Sequence, residues 1–325
     1  MSSFSDWKVP AAFQPKADEY TFDLEEALSS VLYISSVVPE NAFSAATLGT
    51  QRAGNAVLIR EPGLVLTVGY LVAEAESVWL RTGEGQVVAA DVVGIDHTTG
   101  FALVQALGQL EVRALPLGDS DAIQIGDEVV LAGGGGRKRA VAAHVAARQP
   151  FAGYWEYLLE NAIFTAPSHP NWGGAALIGP SGDLVGLGSL QLEQQRRKGI
   201  TETINMSIPI NLLKPVIEDI LTMGQPDRPP RPWLGVYATE IEDKVVLMGV
   251  ADRSPAKRAE LRAGDVILSL SGVPVVNLAA FFKRLWALGG AGVEAPLTIL
   301  RDGRSLDVVV KSADRNRIAN NHRLH

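Results

Sequence analysis

Between Ala56 and Leu192 the chain is a succession of short apolar runs separated by turn residues, and this rhythm restricts the possible folds more than any other feature. Ala56-Val57-Leu58-Ile59 is followed by Glu61-Pro62-Gly63 and then by Leu64-Val65-Leu66-Thr67-Val68, which reads as strand, turn, strand. Further runs at 77–81, 87–95, 101–107, 128–132, 141–147, 157–165, 175–178 and 184–190 follow at close to regular intervals. So many short strands without a helical period between them predict a mainly β domain, either a barrel or a sandwich.

The pattern changes after residue 210. Asn211 opens an expected helix in which Leu213, Val216, Ile217, Ile220 and Leu221 follow the 3.6-residue period, with Pro215 in its first turn and Gly224 as a left-handed stop. Residues 225–232 carry Pro226, Pro229, Pro230 and Pro232, a stiff stretch that cannot pair as a central strand, and the domain boundary is placed there. Beyond it, strands are expected at 245–250, 266–270, 295–300 and 306–310. One helix is expected with Ser254 as N-cap and Pro255 at its first position, and a second running from Asn277. The resulting plan is an N-terminal segment (1–24), a β domain (25–224), a linker (225–232), an α+β module (233–312) and a polar tail (313–325).

Composition excludes several function classes. The 29 Lys and Arg against 36 Asp and Glu leave a net charge of −7, which argues against nucleic-acid or anionic-membrane partners. The basic runs Arg137-Lys138-Arg139 and Arg196-Arg197-Lys198 read as solvated loops. Absence of cysteine removes disulfides, thiolate catalysis and Cys-based zinc sites. No spanning apolar stretch exists, and residues 1–20 lack the charged-then-apolar order of a signal peptide. Cytoplasmic location without membrane insertion is therefore expected.

Six ordered segments resemble the HtrA/DegP family of serine proteases. Arg52 to Ile59 is similar to the glycine-rich opening strand of its protease domain, and Leu66-Thr67-Val68-Gly69-Tyr70-Leu71-Val72 to its L-T-N-x-H-V-V segment. Asp96 to Val104 is similar to D-P-x-T-D-L-A-L-L, and Ala114 to Ser120 to the loop that follows. His169 to Leu177 is similar to N-P-G-N-S-G-G-P-L, and Met206 to Asn211 to F-A-I-P-I-N. In the last module, Trp233-Leu234-Gly235-Val236 and the run from Ser254-Pro255-Ala256 to Asp265-Val266-Ile267-Leu268 resemble the carboxylate-binding loop and signature of HtrA-type PDZ domains. The resemblance implies a chymotrypsin-like double β-barrel followed by a PDZ domain.

The departures from that pattern change the expected chemistry. The resemblance puts Tyr70 at the general base, Gly100 at the orienting aspartate and Gly173 at the nucleophilic serine. Acyl transfer of this kind needs a hydroxyl nucleophile, an imidazole base and a carboxylate behind it. Glycine supplies no group, and a tyrosine hydroxyl is a poor base at neutral pH. The N–H groups of Asn171 and Gly173 are the expected oxyanion-hole remnant, and Trp172 between them is expected to fill the cleft. His97, His144 and His169 are the histidines of this domain, and each reads as a loop or satisfied core residue. Ser168 beside His169 does not make a nucleophile–base pair, since neighbours on a strand face opposite ways. No metal or cofactor is expected, and Gly133 to Arg139 lacks the spacing of a phosphate loop.

The expected function is that of a pseudoprotease whose PDZ domain binds protein C-termini or extended peptides, as a scaffold or chaperone-like protein. An active endopeptidase with a non-standard site is the alternative. Trp233, Leu234, Gly235 and Val236 form the expected carboxylate loop, with Leu278, Phe281 or Phe282 facing it as an apolar pocket. The resemblance further implies a homotrimer built through an aromatic-bearing N-terminal segment, here Trp7, Phe13, Tyr20 and Phe22, with docking onto the chain's own barrel as the competing outcome.

Overall fold

Strand β1 (Val31–Val37) pairs antiparallel with β2 (Gln51–Arg60) on one side and, on the other, with the strand that closes the first barrel. The computed structural model describes residues 7–196 and 200–315. The set continues with β3 (Leu64–Val68), β4 (Ser77–Arg81), β5 (Val87–Ile95) and β6 (Phe101–Ala106), in the closed order β1-β2-β3-β6-β5-β4. Strand β3 is buried at every position, so its unbroken apolar run is explained by contacts on both faces. A second barrel follows: β7 (Glu128–Ala132), β8 (Ala140–Gly153), β9 (Tyr157–Ala166), β10 (Ala176–Ile178), β11 (Leu184–Arg196) and β12 (Ile200–Pro209). It closes in the order β10-β11-β12-β9-β8-β7 around Val129, Leu131, Val141, Ile163, Leu177 and Val185. Closure leaves neither barrel an unpaired edge.

The structure differs from the expected elements in its strands and in one helix. β1 and β12 are strands outside the expected set, and β8 and β11 run past their apolar cores. The outer half of the β11–β12 pair, from Glu193↔Thr203 to Arg196↔Ile200, is polar apart from Ile200 and held by the main-chain ladder, which hydropathy does not register. The helix expected from Asn211 is instead a single 3-10 turn at Ile210–Leu212 followed by a helix at Ile217–Met223, because Pro215 has no N–H and restricts Lys214. That helix stops at Gly224 (φ 72°), as its sequence suggests. A Cβ on Gly94 of β5 would lie 2.2 Å from the Gly224 carbonyl oxygen, so helix end and strand meet backbone to backbone.

The N-terminal aromatics mostly dock on the chain itself. Val9 is buried in the second barrel's core and its N–H bonds the Lys138 carbonyl at 2.9 Å. Trp7 meets the His169 ring edge-on at 5.6 Å and lies under the Arg139 guanidinium at 5.5 Å, and Phe22 packs where Gly182 has no Cβ. Phe13 alone of the expected set stays largely open, 48% exposed. Arg197 and Lys198 of the second basic run lie outside the described residues, as does most of the expected tail.

The chain divides into two compact units between Asp227 and Arg228, inside the proline-rich stretch, but the second unit also takes in Pro150–Glu160, the tip of the β8–β9 hairpin. Its sheet contains β13 (Val236–Ile241), β14 (Lys244–Val250), β15 (Val266–Leu270), β16 (Val273–Pro274), β17 (Glu294–Arg301) and β18 (Arg304–Lys311), ordered β13-β14-β15-β17-β18 with β16 beside β15. Ser254 caps the short helix Pro255–Arg258 through the Lys257 N–H, and Asn277 caps Leu278–Ala287 through the Ala280 N–H. Strand β13 lies outside the set of strands expected from the sequence. Its outer residues Thr239 and Glu240 are polar, so no apolar run marks it.

Candidate functional site

Tyr70 lies in the one-turn helix Gly69–Val72 after β3, a turn held by the buried Arg52, whose guanidinium donates to the carbonyls of Tyr70 (2.9 Å) and Ala73 (3.0 Å). The residue is half-buried and its hydroxyl reaches across the cleft between the barrels to donate to the Ser189 carbonyl at 2.9 Å. Burial pushes that hydroxyl far above the ordinary tyrosine value, against a smaller opposing hydrogen bond from Trp172. A Tyr70 that is locked protonated cannot accept a proton from a nucleophile.

Gly173 faces the same hydroxyl. A Cβ built there would lie 2.8 Å from Tyr70 Oη, closer than a side chain tolerates, so the tyrosine occupies the space a nucleophile would need. The Gly173 carbonyl is held by Asn55, through its N–H at 2.8 Å and its side-chain amide at 3.1 Å. That amide also donates to the Asn171 carbonyl at 2.8 Å, while Asn55 Oδ1 accepts from the Gly134 N–H at 2.9 Å. Asn55, buried at the junction of the barrels, thus fixes this turn. The sequence reading placed it in a strand without giving it a role.

Gly100 occupies a turn at φ 88°, where its N–H donates to the Asp96 carbonyl and its own carbonyl accepts from the Gly69 N–H, both at 2.7 Å. An aspartate there would be strained. The nearby Asp96 is buried and engaged in the turn, accepting from the Thr98 N–H and the Thr99 hydroxyl, each at 2.9 Å.

Of the two N–H groups expected as an oxyanion remnant, that of Asn171 is taken by His169. The Asn171 N–H donates to His169 Nδ1 at 3.0 Å and is turned away from the cleft, while Nε2 contacts the Arg139 carbonyl at 2.7 Å. Burial lowers the imidazole's affinity for a proton, so the neutral ring accepts at Nδ1 and donates at Nε2. It is a satisfied core histidine, as the sequence reading held. Trp172 is half-buried and interacts with the Tyr70 hydroxyl. Among the described residues no group of three or more His, Asp or Glu side chains is placed to hold a metal ion, and no helix is long and apolar enough to cross a membrane.

The second candidate site is the loop Trp233–Val236. Trp233 bridges to Ala313 in both directions, at 3.0 and 2.9 Å, and the carbonyls of Leu234 and Gly235 accept from Ala256 and Ala251 at 2.8 Å. Gly235 sits at φ 79° with Ser254 Cβ only 2.2 Å from where a Cβ would be, so no other residue fits. With its carbonyls bound elsewhere, the loop turns three N–H groups toward one point, a ready anion nest. That point is occupied by the carboxylate of Glu156. Its Oε1 accepts from Gly235 (2.6 Å), Val236 (2.9 Å) and Leu234 (3.2 Å), and its Oε2 from Leu234 (3.0 Å).

The expected apolar pocket is also corrected. Leu234, Val236, Leu278, Phe281 and Phe282 are all buried in one core, against which Ala152 of the hairpin packs. Phe281 and Phe282 contact each other at 5.6 Å and Trp286 stacks on Phe282 at 5.7 Å. Neither ring lines an open groove, because the face of the helix that carries them, with Leu278 and Leu285, is buried in the core. Glu156 carries no signal of this role in the sequence. In sequence it is a polar residue between two strands, the ordinary mark of an exposed turn.

Comparison with known proteins agrees with this architecture. Residues 54–187 match a trypsin-like peptidase domain and residues 232–311 a PDZ domain. The chain is 29% identical over 275 residues to a probable periplasmic serine protease do/HhoA-like of Haemophilus influenzae, covering 79% of this chain and 57% of that protein. It is 28% identical over 271 residues to the periplasmic serine endoprotease DegP of Escherichia coli, covering 78% and 56%. The chain therefore spans little more than half the length of these curated relatives. The solved structure of the HtrA-type protease AlgW with a tripeptide superposes with a TM-score of 0.52 at 22% identity, covering 89% of this chain and 95% of that one. The serine endoprotease from Yersinia pestis does so with a TM-score of 0.51 at 21% identity, covering 90% and 96%.

Proposed function

Since this chain belongs to the HtrA family, with a trypsin-like peptidase domain and a PDZ domain, we propose that it is a pseudoprotease: a peptide-binding scaffold or chaperone-like protein that hydrolyses nothing. The observation that carries this reading is the Tyr70–Gly173 contact. At the two positions where a base and a nucleophile would stand, a protonated phenol takes up the room of the missing side chain. The left-handed backbone at Gly100, which glycine adopts freely and an aspartate would not, and the engaged Asn171 N–H support the same reading. Binding is assigned to the PDZ domain, whose nest of N–H groups suits a peptide's terminal carboxylate and whose strand β13 suits an added strand.

The names of the curated relatives favour one second reading, a serine endopeptidase that works with a non-standard site. One experiment separates the two. Incubation of the chain with unfolded casein and with a fluorophosphonate probe is expected to give neither cleavage nor labelling. Stoichiometric labelling of any serine establishes the second reading instead. A chaperone-like role is read by suppression of client aggregation without cleavage.

A further inference from the structure

Glu156 combines features that a surface turn residue does not have. It is 8% exposed, its carboxylate accepts from three successive backbone N–H groups, and its backbone sits at φ 59°. The third residue of a three-residue hairpin turn often adopts this left-handed conformation, but there glycine or asparagine is favoured. A glutamate carries a steric penalty that glycine would not. At the turn's first residue, the Tyr154 carbonyl accepts from the Ala238 N–H of β13 at 2.8 Å, a main-chain bond of the sort an added strand makes. The Tyr154 ring also meets Tyr237 at 6.1 Å.

We propose that Glu156 is a built-in ligand of the Trp233–Val236 loop: an internal carboxylate, presented by the hairpin tip, that stands where a peptide's terminal carboxylate would bind and must withdraw before one can. This rests on the peptide-binding reading given above. The hairpin reproduces both halves of such recognition, an anion in the nest and a backbone carbonyl on the neighbouring strand. Being tethered, it competes at an effective concentration that a free peptide matches only when its own affinity is high. Peptide affinity is then reduced by the small fraction of molecules in which the hairpin has moved out.

The test uses the full chain and the variant Glu156→Gly, which removes the carboxylate and relieves the left-handed turn, so folding is not put at risk. Glu156→Gln, which keeps an acceptor oxygen, is the intermediate control. Two readouts are taken. Without peptide, amide exchange at Leu234, Gly235 and Val236 should be protected in the wild type and should quicken in Glu156→Gly. With a library of C-terminal peptides and their amidated counterparts, Glu156→Gly should bind the free-acid forms about tenfold or more tightly than the wild type, with Gln between them. Unchanged exchange overturns self-ligation, and measurable but equal peptide affinity in the two proteins overturns the competition. Faster exchange with no peptide bound by either protein keeps Glu156 as the loop's ligand and removes peptide capture.

Discussion

At the scale of single residues, Tyr70 and Gly173 behave as one substitution. The phenol donates to the Ser189 carbonyl, and its oxygen is 2.8 Å from the Cβ that Gly173 lacks, while the nearest ring carbons are at an ordinary 3.7 Å. Gly173→Ala in the presence of Tyr70 is therefore expected to cost about 1–3 kcal/mol through overpacking. Tyr70→Phe should cost about 1 kcal/mol by leaving the buried Ser189 carbonyl without its donor. In the double variant the new methyl meets only ring carbon, so the two losses should fall short of their sum by about 1 kcal/mol or more. Urea-unfolding midpoints of the four proteins measure this coupling, and additivity within about 0.3 kcal/mol would remove the steric account. The identity of these residues was legible in the sequence because short motifs flank them. Their contact was not, since Tyr70 and Gly173 lie on different barrels and nothing local reports that the phenol fills the gap. Likewise His169 could be read as a core residue, whereas its hold on the Asn171 N–H depends on a fold that brings Arg139 to its other face.

At the scale of elements, what was legible followed local chemistry. Caps at Ser254 and Asn277 and the stop at Gly224 stand where the sequence put them, because each depends on residues within one turn. The hairpin tip escaped notice because β8 continues past its apolar stretch into Arg148-Gln149-Pro150, and a long strand with polar sides carries no hydropathic period. Its charge has a measurable consequence. Burial pushes the Glu156 carboxyl up to about 7 from 4.5, against the pull of the Leu234, Val236 and Gly235 N–H groups and of Arg315. With the folded value above the unfolded one, the folded protein binds the extra proton between them. The stability this group contributes is fully present below pH 4.5 and is lost as the pH rises through about 7. The stability difference between wild type and Glu156→Gly should thus decline by about 3 kcal/mol across that window and level off above it. Thermal melts of both proteins at a series of pH values give the difference directly, and a flat or rising difference contradicts the sign. The same desolvation makes an ionised Glu156 easier to displace at neutral pH than its hydrogen bonds from three N–H groups alone suggest.

At the scale of the whole molecule, the order of domains was legible because it rests on the change from strand rhythm to proline to mixed α+β pattern. The docking of the N-terminal segment was not, since aromatics in a polar stretch can bury themselves on their own chain or on a neighbouring copy, and composition does not distinguish the two. Here Trp7 is engaged by His169 and Arg139, and Val9 beside it is part of the second barrel's core. Phe13 remains 48% exposed. The two residues should accordingly answer to different measurements. Trp7→Ala removes a half-buried ring from the barrel surface and is expected to lower stability by about 2 kcal/mol, less than for a fully buried tryptophan. It should leave the mass by light scattering unchanged at micromolar concentration, whatever that mass is. Phe13→Ser should leave the melting temperature within about a degree of the wild type, because surface substitutions away from packed features are close to neutral. If copies of the chain associate through this segment, Phe13→Ser is the change that lowers the mass. A fall in mass with Trp7→Ala at unchanged stability would mean that the indole serves a neighbour and not its own barrel.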